Sequence, residues 1–337
     1  MSEGKTYKPV IYANYELNVP ELNWKTSISV DCFNLADTTP YKVFWQLEPE
    51  DIIPTEERLI KNHKFYDLIL TYNSRVLSKC PNAVLFSNNG VWTKESDTSQ
   101  KKFQVSFLTS AKTMCAGHRF RIATFKELQQ WLGDGGELPL PVKMHMSPPY
   151  LQDKRDMLVP FQYAISIQNS QQPNYFSEIL LDCFATKTIP IFWGCANIGQ
   201  FFNLDGVLSF SDVSPSDTTA TRLKGILGSL TPDFYHSSKV QAAVEENYRK
   251  ALAYKDRIGL LVGAITTNRK LRCEWASELY KAVGTGIPDW WGSTGQDCHE
   301  PATMQWEADQ PPALVGRGFC FDHFVIIRSA VTKGDWK

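Results

Sequence analysis

No apolar run in this 337-residue chain approaches the roughly 18 residues that a membrane-crossing helix needs. The N-terminal stretch MSEGKTYKPVIYANYELN has no basic-then-apolar leader pattern, so the expectation is a cytoplasmic protein without a membrane span. Neither sign of charge is in excess. Lys and Arg number 35 and Asp and Glu 36, a net charge of -1, which leaves no global electrostatic footprint for nucleic acid or an anionic membrane. None of the eight cysteines forms a C-x-x-C pair, which argues against zinc knuckles and a disulfide framework and for free thiols in a reducing compartment. The sequence also lacks D-x-D, G-x-x-x-x-G-K-[ST], a complete G-x-G-x-x-G and the G-x-S-x-G elbow. Those absences weigh against kinase, dehydrogenase and hydrolase chemistry and against a metal-dependent sugar transfer; no metal ligands are assigned.

What is present is an ordinary globular composition, 43% hydrophobic and 21% charged, at a length that suits two domains. Strand-like runs rich in β-branched and aromatic residues stand at 8–14, 41–47, 66–72 and 83–88, with helix composition at 54–65. A charge-mixed segment without periodicity, 93–102, is the candidate linker. Alternation then resumes: a strand at 103–110, a helix over 117–132 with Phe120, Phe125, Leu128 and Leu132 on its apolar face, and a strand at 161–169. A helix over 175–186, strands at 189–194 and 207–210, and helices over 219–230 and 237–263 complete it. Two βα-rich halves imply an α/β architecture of parallel sheets, with ligands beyond the carboxyl ends of the strands. The expected divisions are 1–100, 101–265 and a Trp-, Pro- and Gly-rich extension, 266–337.

Three places could carry chemistry. In SIQNSQQPNYFSEILLDCFATKTIPIFWG, residues 166–194, a strand, a polar loop, a helix and a strand follow one another. The helix start, expected near Asn174, offers free N–H groups and a dipole to an anion. Glu178 lies in the first turn, as an acid favoured by the dipole or as an acceptor for a ribose. The second is TSAKTMCAGHRFR, where Lys112, Arg119 and Arg121 collect near a strand's carboxyl end as solvated residues or as phosphate ligands. His118 reads as a surface or helix-start residue. The third is FWQLEPED, with Glu48, Glu50 and Asp51 after an apolar strand, an acidic cap or a general base with a crowding-raised pKa.

The block from Ala164 to Gly194 resembles the donor-site signature of family-ten glycosyltransferases, the α-1,3/4-fucosyltransferases: an apolar strand, E-N-S, a short loop, Y-[FV]-[ST]-E-K-L, a helix and [TV]-[IV]-P-[IV]-x-x-G. NIGQFFNLDGVLSF, YKVFWQLEPE, YDLILTYN, PNAVLFSNNGVW and VEENYRKALAY are similar to neighbouring segments of soluble microbial or viral members, so the likeness runs over about 8–260. It implies a GT-B fold, two Rossmann-like βαβ domains facing a central cleft, acceptor side first and nucleotide-sugar side second. It implies metal-independent transfer with inversion from GDP-fucose, or another nucleotide sugar, to a glycan hydroxyl, with no cofactor. Carried over residue by residue, the general base maps to Glu48, with Glu50 next. The phosphate-binding arginine maps to Arg121 ahead of Arg119, with Lys112 nearby, and the donor loop to Asn169, Ser170, Tyr175 and Glu178. Two positions depart: Gln168 stands for the first glutamate, and Ile179 for the lysine that would neutralise the diphosphate. Lys112, Lys187 and Arg155 are the cations able to stand in. A related transferase for another nucleotide sugar, or a non-catalytic glycan- or nucleotide-binding relative, is the alternative.

Overall fold

The computed structural model describes residues 6–87, 89–212 and 219–269, with a strand pair Met304–Gln305 and Gly318–Phe319. Beyond residue 269 the expected extension lies otherwise outside the described residues. The described residues fall into two compact α/β units, the first taking those within 6–47, 55–86 and 258–269 and the second those within 48–54 and 87–257.

The first unit carries a five-stranded, all-parallel sheet in the order β1-β2-β3-β4-β5: Val10–Tyr12, Thr26–Val30, Tyr41–Trp45, Leu68–Thr71 and Ala83–Leu85. The period-two alternation of strands divides its core into two layers. Phe44 and Ile69 face α1 (Glu56–Asn62) and α2 (Ser74–Lys79), packing on Leu59 and Val76. Val43, Trp45, Leu68 and Leu70 face the other way, onto Val19, Leu22, Leu261 and Ile265. The last two lie in a helical stretch, 257–269. The sequence reading missed β2. Its TSISV is buried throughout, but with Thr26, Ser27 and Ser29 polar, the alternation rests on Ile28 and Val30 alone, too short a pattern to mark an inner strand in sequence.

The second unit repeats the plan in the order β10-β9-β8-β6-β7, again all parallel. Its strands are β6 (Lys102–Ser110), β7 (Val142–Ser147), β8 (Phe161–Ile167), β9 (Ile189–Trp193) and β10 (Leu208–Ser209). On one face, α3 (Ala116–Gly133) sets Phe120, Phe125 and Leu128 against Tyr163, Ile165, Ile191 and Trp193. On the other, α4 (Glu178–Ala185) sets Leu180, Leu181 and Phe184 against Phe192 and, from α7 (Ser238–Leu252), Ala251. Helices α5 (Thr219–Ser229) and α6 (Pro232–His236) lie between β10 and α7 in sequence. The fold class is α/β, built from two Rossmann-like parallel sheets. The expected helix over 237–263 is broken at 253–256. Residues 93–101 are irregular, as their composition implies, and belong to the second unit. All five cysteines among the described residues are free, and four are buried. No helix of the described residues is long and apolar enough to cross a membrane.

Candidate functional site

The site grows from the carboxyl ends of β6 and β8. Strand β8 turns Ala164 and Ser166, and then Gln168, toward the α4 side of the sheet. Gln168 is fully buried, and its amide oxygen accepts from Ser177 N at 2.9 Å and Ser177 Oγ at 2.8 Å. Ser177 in turn caps α4, its hydroxyl accepting from Ile179 N at 3.3 Å. The helix therefore starts at Glu178, and the N-cap is Ser177 rather than Asn174. Asn174 is in the left-handed region at φ 63°, which a residue leading directly into a helix does not adopt. It turns the loop instead, paired twice with Asn197 at 2.8 Å. A Cβ at Gly194 would sit 2.5 Å from Gln168 Cγ, so the glycine after β9 makes room for this amide.

Helix α3 meets the same loop end-on. Gly117 N donates to Asn169 O at 3.2 Å, and Cys115 Sγ donates to the same oxygen at 3.2 Å. One turn on, Arg121 is 6% exposed and donates from Nη2 to Asn169 Oδ1 at 2.7 Å. Its Nε is buried and meets no acceptor. Burial lowers its pKa, and Glu178, Cys115 and Tyr175 pull it back up; an arginine remains a cation under these conditions. His118 is buried, contrary to the surface reading, and its Nδ1 has no partner. Desolvation first, then Arg121, Lys112 and Arg119, push its pKa down to about 4, so the imidazole is neutral at neutral pH.

Arg121, His118, Lys112, Asn169, Glu178 and Ile179 all line one cavity of about 330 Å³. Burial raises the Glu178 carboxyl pKa; Lys154 opposes the rise, Asp182 adds to it and Arg121 opposes it. Tyr175 is buried behind them, its phenol pKa pushed well up by desolvation and by Glu48 and Glu178, with a hydrogen bond to Asn169 opposing. Arg119 does not line this cavity: it is exposed and donates from Nη1 to Thr113 O at 3.0 Å. Ser170 is buried and borders a second cavity, of about 380 Å³, with Asp51, Gly117, Gln171 and Gln172.

Glu48 leaves β3 in the segment 48–54 that groups with the second unit. Its carboxyl pKa is raised first by burial and then by the Glu178 charge, while Lys112 and Arg257 oppose. Neither Glu48 nor Glu50, both half-buried, borders either cavity.

The sequence reading missed two charged residues of the wall, Lys154 and Asp182. Lys154 lies in QDKRD, whose mixed charges read as solvated surface. Asp182 carried a usable signal, an acid one turn beyond Glu178 in an otherwise apolar helix. Two cations named to stand in at Ile179 are engaged elsewhere: Lys187 pairs with Glu245 at 2.7 Å, and Arg155 with Asp153 at 2.5 Å. Among the described residues no cluster of three or more His, Cys, Asp or Glu is arranged to hold a metal ion.

Comparison with known proteins gives a local likeness and a distant structural one. Over 74 residues the chain is 24% identical to the α-(1,3)-fucosyltransferase FucT of Helicobacter pylori. That match spans 22% of this chain and 16% of the relative. No protein-family model matches. Among solved structures, an α1,3-fucosyltransferase with GDP aligns at a TM-score of 0.41 and 14% identity, over 69% of this chain and 77% of that one. The pneumococcal O-GlcNAc transferase GtfA, in complex with UDP and GlcNAc, aligns at 0.43 and 11%, over 72% and 56%.

Proposed function

We propose that this chain is a GT-B glycosyltransferase that transfers a sugar, with fucose from GDP-fucose as the leading donor, to a glycan hydroxyl by an inverting, metal-independent route. The observation that carries the reading is the cavity at the carboxyl ends of β6 and β8, where the buried Arg121 presents an unpartnered Nε beside Asn169 and Glu178. These are positions of the motif whose resemblance is to fucosyltransferases, and the local similarity to FucT supports the same reading.

In this reading Glu48 takes the proton of the acceptor hydroxyl as its oxygen bonds to the anomeric carbon. The carbon–oxygen bond to the diphosphate breaks, and the nucleoside diphosphate leaves with the bonding pair. The role of Arg121 is to stabilise the charge gathering on that leaving group, an interaction strongest in the transition state and strengthened by exclusion of water. Glu178 accepts from the ribose hydroxyls, and Asn169, Ser170 and Tyr175 shape the loop that holds them. Lys112 adds positive charge at the rim. Glu50 is the reserve base, and Arg119, which does not line the cavity, the reserve arginine. The raised pKa of Glu48 suits a base working nearer neutrality.

The test is a thermal-shift screen against GDP, UDP, CDP and their sugars, followed by a transfer assay with the best donor. GDP and GDP-fucose are expected to stabilise the protein, by about 2.7 kcal/mol at a hundredfold excess over Kd. A preference for UDP would move the donor to another sugar nucleotide. Stabilisation by no nucleotide would refute the reading. One observation favours a second reading, a nucleotide- or glycan-binding relative without turnover: Ile179 puts an apolar side chain on the cavity wall where the motif has a cation. Binding without transfer under any donor would select it.

A further inference from the structure

The charge on the cavity wall is uneven in a way that the residues of the motif do not account for. Asp182 is 1% exposed, and its Oδ1 accepts from Trp92 N at 2.7 Å, Thr93 N at 2.9 Å and Thr93 Oγ1 at 3.1 Å. Those three donors fix the carboxylate and take up part of its charge. Its second oxygen pairs with Lys154. The ammonium also lies 5.0 Å from the centroid of the Trp92 ring, whose face attracts a cation. Lys154 is thus held on two sides, yet its side chain keeps 28% of its surface open. The surrounding wall supplies Arg121, with its buried, unpartnered Nε, together with Lys112 and Glu178. Three cations against two carboxylates leave this cavity short of negative charge, and an arginine donor buried without an acceptor points to a ligand that brings one.

We propose that Lys154, fixed by Asp182 and covered by Trp92, is the second cation that takes the diphosphate of a nucleoside diphosphate ligand, with Arg121 in the wall of the same cavity. This deepens the functional reading above and rests on it. The cation has moved from the helix that carries Ile179 to the segment 154–157. A partly screened ion pair at the wall serves this purpose because the anion completes it. Lys154 has three donors and Asp182 engages one face of the ammonium, so a phosphate oxygen can join without displacing the carboxylate.

Calorimetric titration of the wild-type protein with GDP and UDP, and of whichever binds with its monophosphate and nucleoside, tests the assignment. Lys154→Met is expected to raise Kd for the diphosphate at least tenfold while changing Kd for the nucleoside less than twofold. Lys154→Arg should stay within threefold of wild type. Ile179→Lys, which places a lysine on the same wall, should recover most of the loss in the Lys154→Met background. The single variant leaves Asp182 without its cation, so Lys154→Met/Asp182→Asn is measured beside it; asparagine keeps the oxygen that Trp92 and Thr93 use, and the double variant should show the same selective loss. Should the wild type bind a diphosphate that the well-folded double variant holds equally tightly, or should nucleoside and diphosphate weaken in parallel, the proposal falls and the functional reading stands. Should the wild type bind no nucleoside diphosphate, both fall together.

Discussion

In an ordinary helix a glycine-to-alanine change stabilises by about 0.5–1 kcal/mol, because glycine loses more backbone freedom on folding. Gly117, the second residue of α3, reverses that sign. A Cβ built there would lie 2.2 Å from Gln168 O, 2.4 Å from Asn169 O and 2.5 Å from Asn169 C. All three are backbone atoms of the loop leaving β8, so no rotamer change relieves the overlap. The helix start must back away by about an ångström to restore van der Waals separation. Overpacking of that kind costs about 1–3 kcal/mol, and an obstacle made of backbone puts it at the upper end. Net of the propensity gain, Gly117→Ala should destabilise the second unit by about 1–2 kcal/mol. At about 2–4 °C per kcal/mol for a unit of this size, Tm falls by about 2–8 °C. The same retreat draws Arg121 from Asn169, now 2.7 Å apart, so nucleotide affinity falls as well. Differential scanning calorimetry with and without nucleotide reads both quantities. A Tm that rises, with nucleotide binding unchanged, would falsify the close-approach argument.

Arg121→Met removes the buried guanidinium facing the ligand and should weaken diphosphate binding by about 2–5 kcal/mol, roughly thirty- to several-thousand-fold; a Kd within threefold of wild type would show that the arginine is structural. Glu48→Gln should abolish transfer and leave nucleotide Kd intact, measured by single-turnover assay beside calorimetry. In the proposed reaction Glu48 works as a carboxylate, and its pKa is raised from 4.5, so kcat/KM should fall on acidification through a value above 4.5. Removing the Glu178 charge in Glu178→Gln lifts one cause of that rise, so the acid limb should move to lower pH; a limb that stays or moves up would contradict the assignment of Glu48 as base. Gln168→Leu strips Ser177 of two hydrogen bonds in a fully buried position and should cost about 1–3 kcal/mol in urea unfolding.

The parts of this protein that were legible in its sequence are those where one chain segment carries its own reason. The apolar runs YKVFWQL and YAISI and the stripe Phe120, Phe125, Leu128 need only a period to be read, and each became the element its period implies. Strand β7 is different: VKMHMS alternates strictly, Val142, Met144 and Met146 with Lys143, His145 and Ser147, yet at the sheet edge it is only half-buried and follows a Gly- and Pro-rich break, and the sequence reading passed over it. The site divides along the same line. Arg121, Asn169 and Glu178 stand in motifs, whereas Lys154 and Asp182 acquire meaning only from each other, across 28 residues of chain. The start of α4 shows the physical reason most plainly. Asn174 and Ser177 are both competent caps by residue type, and local sequence does not choose between them. The choice is made by Gln168, a residue of another element, whose one amide oxygen takes both the N–H and the hydroxyl of Ser177. In this chain, then, the neutral glutamine at that position is the tie between strand and helix, and the charge of the cavity wall is left to Arg121, Lys112, Lys154, Glu178 and Asp182.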